Sequence, residues 1–509
     1  MNRSEQLQSL ATDTVWDIIV IGGGATGLGT ALDAATRGYK TLLLEGHDFA
    51  KGTSSRSTKL VHGGVRYLEQ GNIKLVREAL RERGYLLKNA PHLTSVQTFI
   101  VPVFSWWEKM FYGLGLKFYD LLSGKLSLGD TQILSKKETA SHLPTINAEK
   151  LAGGILYYDG QFDDSHLAIE IAATAINKGA TVLNYCKAIG FIKTNDKITG
   201  VECIDLLSEK KYTLTTKVVV NATGVFTNAI VQMDNELEHD LVSPSQGIHL
   251  VIDAKFFPGT DAMMIPKTDD GRVLFAVPWH DKVVLGTTDT PIEEISFEPK
   301  PLEEEIEFII KHINRYCTSL ITRADINSVY VGLRPLVKQK NKVSSALISR
   351  EHHLSVSPTG LITITGGKWT TYRKMAADAV DNAAFIGKFN KVKCTTAHTP
   401  IGDELEKENR MNEILKNDIS LKELVHPNYT FTKAGLVYAV KYEMAICIED
   451  ILARRMRLLF LDAKLAIAVA PMAASIIAPY LQKDKNWEAL EVKSFTELAG
   501  QYILQSPIS

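Results

Sequence analysis

The sequence predicts an α/β protein with three parts: a Rossmann-like domain, a β-rich second domain and a helical C-terminal domain. Three observations predict it. "WDIIVIG" and "TLLLE" are short apolar runs flanking an Ala-rich stretch, the pattern of a βαβ unit with buried parallel strands. Residues 241–292 alternate in the manner of half-buried strands. After residue 395 the pattern turns polar and helical. The 509 residues leave room for two or three domains of roughly 100–200 residues each. The expected boundaries are 15–90 with 151–235 and 336–392 for the first part, 91–150 with 236–335 for the second, and 393–509 for the third.

The elements follow in order. "GGGATGLGTALDAATRGYK" is a glycine turn running into a helix between the first two strands. "KLVREALRERGYLLKN" reads as a helix, and "HLAIEIAATAINKGATVLNY" as helix, Gly turn and strand. "KVVVNATG" is another buried strand ending in glycine. "RVLFAVPWHDKVVLGTTD" reads as two strands joined by a turn near His280 and Asp281. "LEEEIEFIIKHINRY" is an amphipathic helix, and "LITITGGKWTTYRKMAADAVDNAA" a strand, a Gly-Gly turn and a helix. "GDELEKENRMNEILKND" and "VYAVKYEMAICIEDILARRMRLLFLD" are helical.

Bulk composition excludes several classes. Hydrophobic residues make up 45% and charged residues 23%, the balance of a folded globular chain. The 57 basic and 58 acidic residues leave a net charge of -1, which argues against a nucleic-acid binder. The 5 Cys are scattered, with no CxxC pair and no zinc-ligand spacing, so the reading is a reducing compartment and no metal site. The N-terminus lacks the apolar stretch of a secretory signal. No run reaches the ~20 apolar residues of a membrane span. The nearest, "LAIAVAPMAASIIAP", is broken by Pro471 and reads as a buried helix pair.

Gly22, Gly24 and Gly27 form GxGxxG between a strand and a helix. The first permits a tight turn, the second lets a pyrophosphate approach the backbone, and the third lets the helix pack closely. Phosphates then sit at a helix N-terminus, where free N–H groups favour anions. Glu45 closes the second strand, where an acid binds a ribose hydroxyl. A carboxylate there repels a 2′-phosphate and so argues against NADP, but it does not separate NAD from FAD. The next segment, "GHDFAKGTSSRSTKLVHGGVRY", has small hydroxyl residues (Thr53, Ser54, Ser55, Ser57, Thr58), the Gly63–Gly64 pair and the cations Lys59 and Arg66. It suits a loop lying along a long cofactor. In "TGGKWTTYRK", Gly366 and Gly367 open a helix whose N-terminus, with Lys368, stabilises negative charge on a reduced flavin.

"DIIVIGGGATGLGTALDAATRGYKTLLLE", "GTSSRSTKLVHGGVRYLE", "VVNATG", "VPWHDKVVLGTTD", "VGLRPL" and "GGKWTTYRKMA" occur here in order. Together they resemble the FAD-dependent glycerol-3-phosphate dehydrogenases of the D-amino-acid-oxidase-like flavoprotein class. The resemblance is close over residues 15 to about 390 and looser beyond. It implies an FAD-binding domain, a substrate-binding β-rich domain, non-covalent FAD, and oxidation of sn-glycerol 3-phosphate to dihydroxyacetone phosphate. It further implies electron delivery to membrane quinone, a peripheral, monotopic position on the cytoplasmic face of the inner membrane, and a homodimer. In this sequence Val225 and Phe226 follow "NATG" where Pro-Trp is usual, and Gly247-Ile248 precede His249 where a shorter "GSH"-like run is usual.

The implied substrate is a small dianion, which needs cations for its phosphate and a base near carbon-2. Arg334, set in the apolar "VGLRPL", is expected on the phosphate. Arg350 is either a second phosphate contact or the ion-pair partner of Glu351. By resemblance Arg66 and Tyr67 face the substrate beside the flavin, and Lys368 lies near both. His249 is the first candidate base; His62 is the second, or instead a flavin contact. Lys59, Gly224 and Thr370 complete the expected cofactor contacts, with no metal. In "FSWWEKMFYGLGLKFYDLLSGK", Trp107, Phe111, Leu114, Phe118 and Leu122 share one helical face, and Lys109, Lys117 and Lys125 add basic charge. Residue pattern alone favours a core helix; the resemblance favours a membrane-surface one. Two further readings stay open: an oxidase that passes electrons to oxygen, and a non-catalytic dinucleotide-binding scaffold.

Overall fold

The computed structural model describes residues 1–12, 14–69, 71–237, 240–338 and 352–504, without the side chains of residues 66 and 69. Two sheets organise it. In the first, the strand order is His352–Val356, Ile362–Gly366, Lys211–Asn221, Val15–Ile21, Thr41–Leu44, Thr181–Leu183, with Lys197–Asp205 and Cys186–Thr194 added beside Lys211–Asn221. Val15–Ile21 runs parallel to both its neighbours. A central parallel strand is covered on both faces, which is why its sequence is a continuous apolar run. Ile18 and Val20 pack with Leu28, Leu32, Leu167 and Val380, from helices Ala25–Thr36, Asp164–Asn177 and Tyr372–Ile386. Ile19 and Ile21 pack on the opposite side with Leu42, Leu183 and Val201.

Among the described residues the second sheet has ten strands and is largely antiparallel. Val242–Asp253 lies between Ile326–Val337 and Lys282–Gly286. The hairpin expected near His280 is present: Leu274–Trp279 returns as Lys282–Gly286 through His280 and Asp281, at φ 47° and 59°. Two consecutive left-handed residues are what a type I′ hairpin turn requires. One side of the sheet packs Ile248, Leu250 and Ile252 against Ile306, Ile309 and Ile313 of helix Glu303–Asn314. The other side presents Val251, Val284 and Tyr330 to the C-terminal helices, through Leu452, Leu458, Phe460 and Ala466.

Three expectations change. Gly153–Phe162, expected with the nucleotide-binding domain, pairs along Thr94–Val103 in the second sheet. Its glycines hid it, since Gly is poor in strands; they mark close approach, a Cβ at Gly160 falling 2.6 Å from Val61. Pro471 does not break its helix, which runs Ala463–Ile477. The proline lies on the exposed side, while Ala466, Ala470, Ala473 and Ala474 are buried, so packing outweighs the lost backbone bond. The segment after residue 433 is three pieces: Lys433–Tyr442, the wide turn Asp450–Arg455, and Leu458–Leu461. Among the described residues no helix is long and apolar enough to cross a membrane.

Candidate active site

At the nucleotide end, backbone crowding decides the residue types. A Cβ at Gly27 would run into the Gly22 carbonyl oxygen, and one at Gly22, whose φ is +113°, would lie 2.7 Å from the Ala222 carbonyl oxygen. Gly24 precedes the twelve-residue helix Ala25–Thr36, and Ser54 Oγ, 3.0 Å away, accepts a hydrogen bond from the Ala25 N–H. Glu45 accepts from the N–H groups of Gly23 (2.6 Å) and His47 (2.8 Å). Burial raises its carboxyl pKa in spite of those two amides. Amides at a helix start, a carboxylate at the second strand and a close-packed glycine turn fit the pyrophosphate and ribose of FAD.

The loop from Thr53 to Gly64 is stitched to distant segments. Thr53 Oγ1 donates to the Leu333 carbonyl (2.6 Å), and Trp369 Nε1 donates to the Ser54 carbonyl (2.8 Å). Thr370 Oγ1 accepts from the His62 N–H (3.2 Å), 308 residues away in the chain. Gly63 N–H donates to Tyr119 Oη (2.7 Å). Ser55 is buried, with its carbonyl turned to Lys59 and Arg457. Gly224 (φ +59°) opens a short turn in which Phe226 stacks on Phe297 at 4.2 Å, so aromatic packing occupies the place of the usual Pro-Trp. Gly366 and Gly367 both have left-handed φ, at 78° and 69°.

These segments surround a cavity of about 740 Å³ whose wall includes Tyr67, His249, Arg334, Gly366, Gly367 and Lys368. Arg334 is braced on one side: Nη1 donates to the Gln246 carbonyl (3.1 Å) and Asp289 (3.2 Å), and Nη2 to Thr287 Oγ1 (3.1 Å) and the Thr288 carbonyl (2.8 Å). Gly247 is what lets this guanidinium fit, since a Cβ there would collide with it and lie 2.5 Å from Thr287 Oγ1. His249 is 3% exposed and stacks on Tyr330 at 4.7 Å. Its Nε2 bonds to Thr58 Oγ1 at 2.8 Å. Burial, then the charges of Lys59 and Arg334, push its pKa well below 6.5, so the imidazole is neutral. Lys368 Nζ lies 3.9 Å above the Tyr67 ring. His62 also lines the cavity.

Not every expected residue joins this group. Lys59 turns away from the cavity into a buried ion pair with Asp164 (2.7 Å), among the rings of Trp279, Tyr330 and Phe460. An ammonium in so apolar a place needs a carboxylate, and Asp164 supplies it. Arg66 lies in the short helix Val65–Glu69, with its side chain outside the described atoms, and Arg350 is outside the described residues. Sequence reasoning gave no such part to Thr287, Asp289, Asp164 or Arg457, and none to Thr58 beyond a place on the cofactor loop. The "GTTD" run was the available signal for the first two.

Part of the cavity wall is apolar: Leu60, Phe99, Leu116, Tyr157, Met264 and Phe275 line it and pack as one cluster. Helix Trp106–Ser123 supplies Leu116 to that wall; it forms despite Gly113 and Gly115 and starts in a Ser105–Glu108 capping box. Trp107, Phe111, Leu114 and Phe118 are 76%, 59%, 65% and 41% exposed, so the expected apolar face is turned outward rather than into the core. Leu122 differs, packing inward near Val76, Leu80 and Tyr119.

Comparison with known proteins agrees with this geometry. A family model described as FAD dependent oxidoreductase matches residues 17–373, and one described as the C-terminal domain of alpha-glycerophosphate oxidase matches residues 358–488. The mitochondrial glycerol-3-phosphate dehydrogenase of Rattus norvegicus is 35% identical, across 99% of this chain and 75% of its own length. That of Saccharomyces cerevisiae is 34% identical, across 98% of this chain and 92% of its own length. The solved glycerol-3-phosphate dehydrogenase from Bacillus halodurans, complexed with FAD, superposes with a TM-score of 0.78 at 29% identity, covering 100% of this chain and 98% of its own. The FAD-bound L-alpha-glycerophosphate oxidase from Mycoplasma pneumoniae shares the fold, at a TM-score of 0.58 and 16% identity over 76% of this chain and 99% of its own. The chain is an FAD-dependent oxidoreductase and belongs to the glycerol-3-phosphate dehydrogenase family.

Proposed function

We propose that this flavoenzyme oxidises sn-glycerol 3-phosphate to dihydroxyacetone phosphate and passes the electrons to a membrane quinone. The observation that carries the reading is the cavity, with a guanidinium, an ammonium, an imidazole and a phenol on its wall beside an apolar cluster. Arg334 and Lys368 receive the phosphate dianion, with Tyr67 beside Lys368. The Asp289 brace holds the Arg334 fork in one orientation, so little side-chain freedom is lost on binding. His249 takes the proton of the carbon-2 hydroxyl, with Thr58 at its Nε2 on the cavity side. FAD, when bound, supplies the hydride acceptor. The chain holds it through the turn at Gly22, Gly24 and Gly27, through Glu45 on the ribose, and through the Thr53–Gly64 loop with Gly224, Gly366–Lys368 and Thr370.

The quinone and the peripheral site on the cytoplasmic membrane are supported by the apolar part of the cavity wall and by the exposed apolar face of helix Trp106–Ser123. Lys109, Lys117 and Lys125 add the basic charge that anionic lipid attracts. One observation favours a second reading: the C-terminal model carries the description of an oxidase.

Anaerobic titration of detergent-solubilised, FAD-loaded protein with sn-glycerol 3-phosphate should bleach the flavin absorbance, whereas glycerol should not. Arg334→Ala should weaken the response to substrate about a hundredfold or more, as loss of a buried charged contact does. A yellow protein that stays yellow sinks the substrate. Re-oxidation by a soluble quinone but not by oxygen supports the dehydrogenase; fast re-oxidation by oxygen supports the oxidase.

A further inference from the structure

We infer that Asp164 and Arg457 position the Thr58–His249 pair, which makes the helical C-terminal part a working component of the site. The inference rests on the reading of His249 as proton acceptor. Asp164 is fully buried at the start of helix Asp164–Asn177. Its Oδ2 accepts from the Ser57 N–H (3.1 Å), Ser57 Oγ (2.6 Å) and Lys59 Nζ (2.7 Å), and its Oδ1 accepts from Arg457 Nη2 (2.9 Å) and the Ser165 N–H (2.9 Å). Lys59 Nζ and Arg457 Nη2 also both donate to the Ser55 carbonyl, at 2.8 and 2.9 Å. The loop is thus gripped at residues 55, 57 and 59. Thr58 sits between two gripped residues and reaches the cavity wall.

The grip has its second anchor in the C-terminal part. Arg457 adopts a left-handed φ of 62° just after the wide turn Asp450–Arg455, and its Nη1 donates to the Ala453 carbonyl (2.9 Å). One guanidinium therefore ties that turn to Ser55 and Asp164. The same loop is tied to the histidine by another path: Tyr330 Oη donates to the Ser57 carbonyl (3.0 Å), and its ring stacks on His249. Burial leaves His249 Nδ1 sealed with no hydrogen-bond partner among the described residues, so Nε2, seated on Thr58, is its one route to the cavity. Burial and the neighbouring Arg457 lower the Lys59 pKa to about 7, so Arg457 carries much of the charge that balances Asp164, a charge that lysine would keep. A purely structural arginine would then be replaceable by lysine with full turnover.

The test uses FAD-loaded enzyme carrying Arg457→Lys or Ser57→Ala, each alone and combined with His249→Gln. Lysine keeps the charge but cannot reach Asp164, Ser55 and Ala453 together. Ser57→Ala removes one hydroxyl with little change of volume, and carries the test if the arginine variant does not fold. The expected result is a kcat about tenfold lower in each, KM within about twofold, FAD content unchanged, and no further loss on adding either change to His249→Gln. Full kcat with only a lower Tm overturns the inference, and so do effects that multiply with that of His249→Gln. If His249→Gln itself keeps full kcat, the proton-acceptor reading fails and this inference falls with it.

Discussion

At the nucleotide end, Gly23 meets Glu45 across 22 residues and Ala25 meets Ser54 across 29, so one βαβ unit and its next loop supply most of the contacts. At the cavity end, Thr58 meets His249 across 191 residues and His62 meets Thr370 across 308. The first end is fixed by local backbone: a strand, a turn too tight for side chains, a helix. The second exists only once two sheets and the C-terminal helices have packed. Glycine serves both ends, by different means. Gly27 keeps a helix against its own strand, whereas Gly247 leaves room for the guanidinium of a residue from another strand.

The largest effect that separates the two ends is Gly27→Ala. The added Cβ meets the Gly22 carbonyl, which is backbone and cannot swing aside. Overpacking costs roughly 1–3 kcal/mol where side chains can give, and more where backbone must move. The expected outcome is protein that purifies colourless or aggregates, read from its flavin absorbance and elution profile. A yellow, folded Gly27→Ala protein would break the claim that local backbone fixes this end.

Gly247→Ala is the matching change at the cavity and should act more mildly. Its Cβ meets the tip of Arg334 and Thr287 Oγ1, side-chain atoms that can shift. FAD content should be unchanged while kcat/KM falls by about ten- to a hundredfold, or roughly 1.4–2.8 kcal/mol. Equal loss of FAD and activity would mean that the two ends are not separable.

The same division explains what could be read from the sequence. GxGxxG, the two apolar strands and Glu45 are contiguous, and each residue type has a local reason to be there, so residues and reasons are legible together. The His280–Asp281 turn was legible for the same reason. Gly153–Phe162 was not, because its glycines make sense only against Val61, Thr139 and Ile100. Residue pattern alone gave the right helix at 106–123 but the wrong surroundings, since a 3.6-residue stripe states which face is apolar and not what covers it. Arg334 was singled out because an arginine in an apolar run needs a partner, yet Asp289 is not visible from "VGLRPL". Lys59 is the opposite case: a cation in a polar loop suits a ligand contact, whereas Asp164, 105 residues away, holds its ammonium.

The nucleotide end is not wholly local, and the smallest predicted effect measures by how much. Just after Glu45, Asp48 is buried against Arg454 and Arg455, and Lys51 pairs with Glu449 at 2.8 Å. Burial alone would raise the Glu449 pKa; Arg454, Lys51 and their hydrogen bonds overcome it and hold it at about 2, against an ordinary 4.5. A carboxylate with a lowered native pKa contributes stability that is fully present above pH 4.5 and is lost as the pH falls through about 2. At 1.36 kcal/mol per unit the shift is worth at most about 3 kcal/mol. Glu449→Gln should therefore lower Tm at neutral pH, and the gap from the unaltered enzyme should close as the pH approaches 2. A gap that stays constant across that window would mean that the Glu449 charge is not what ties the C-terminal helices to this loop.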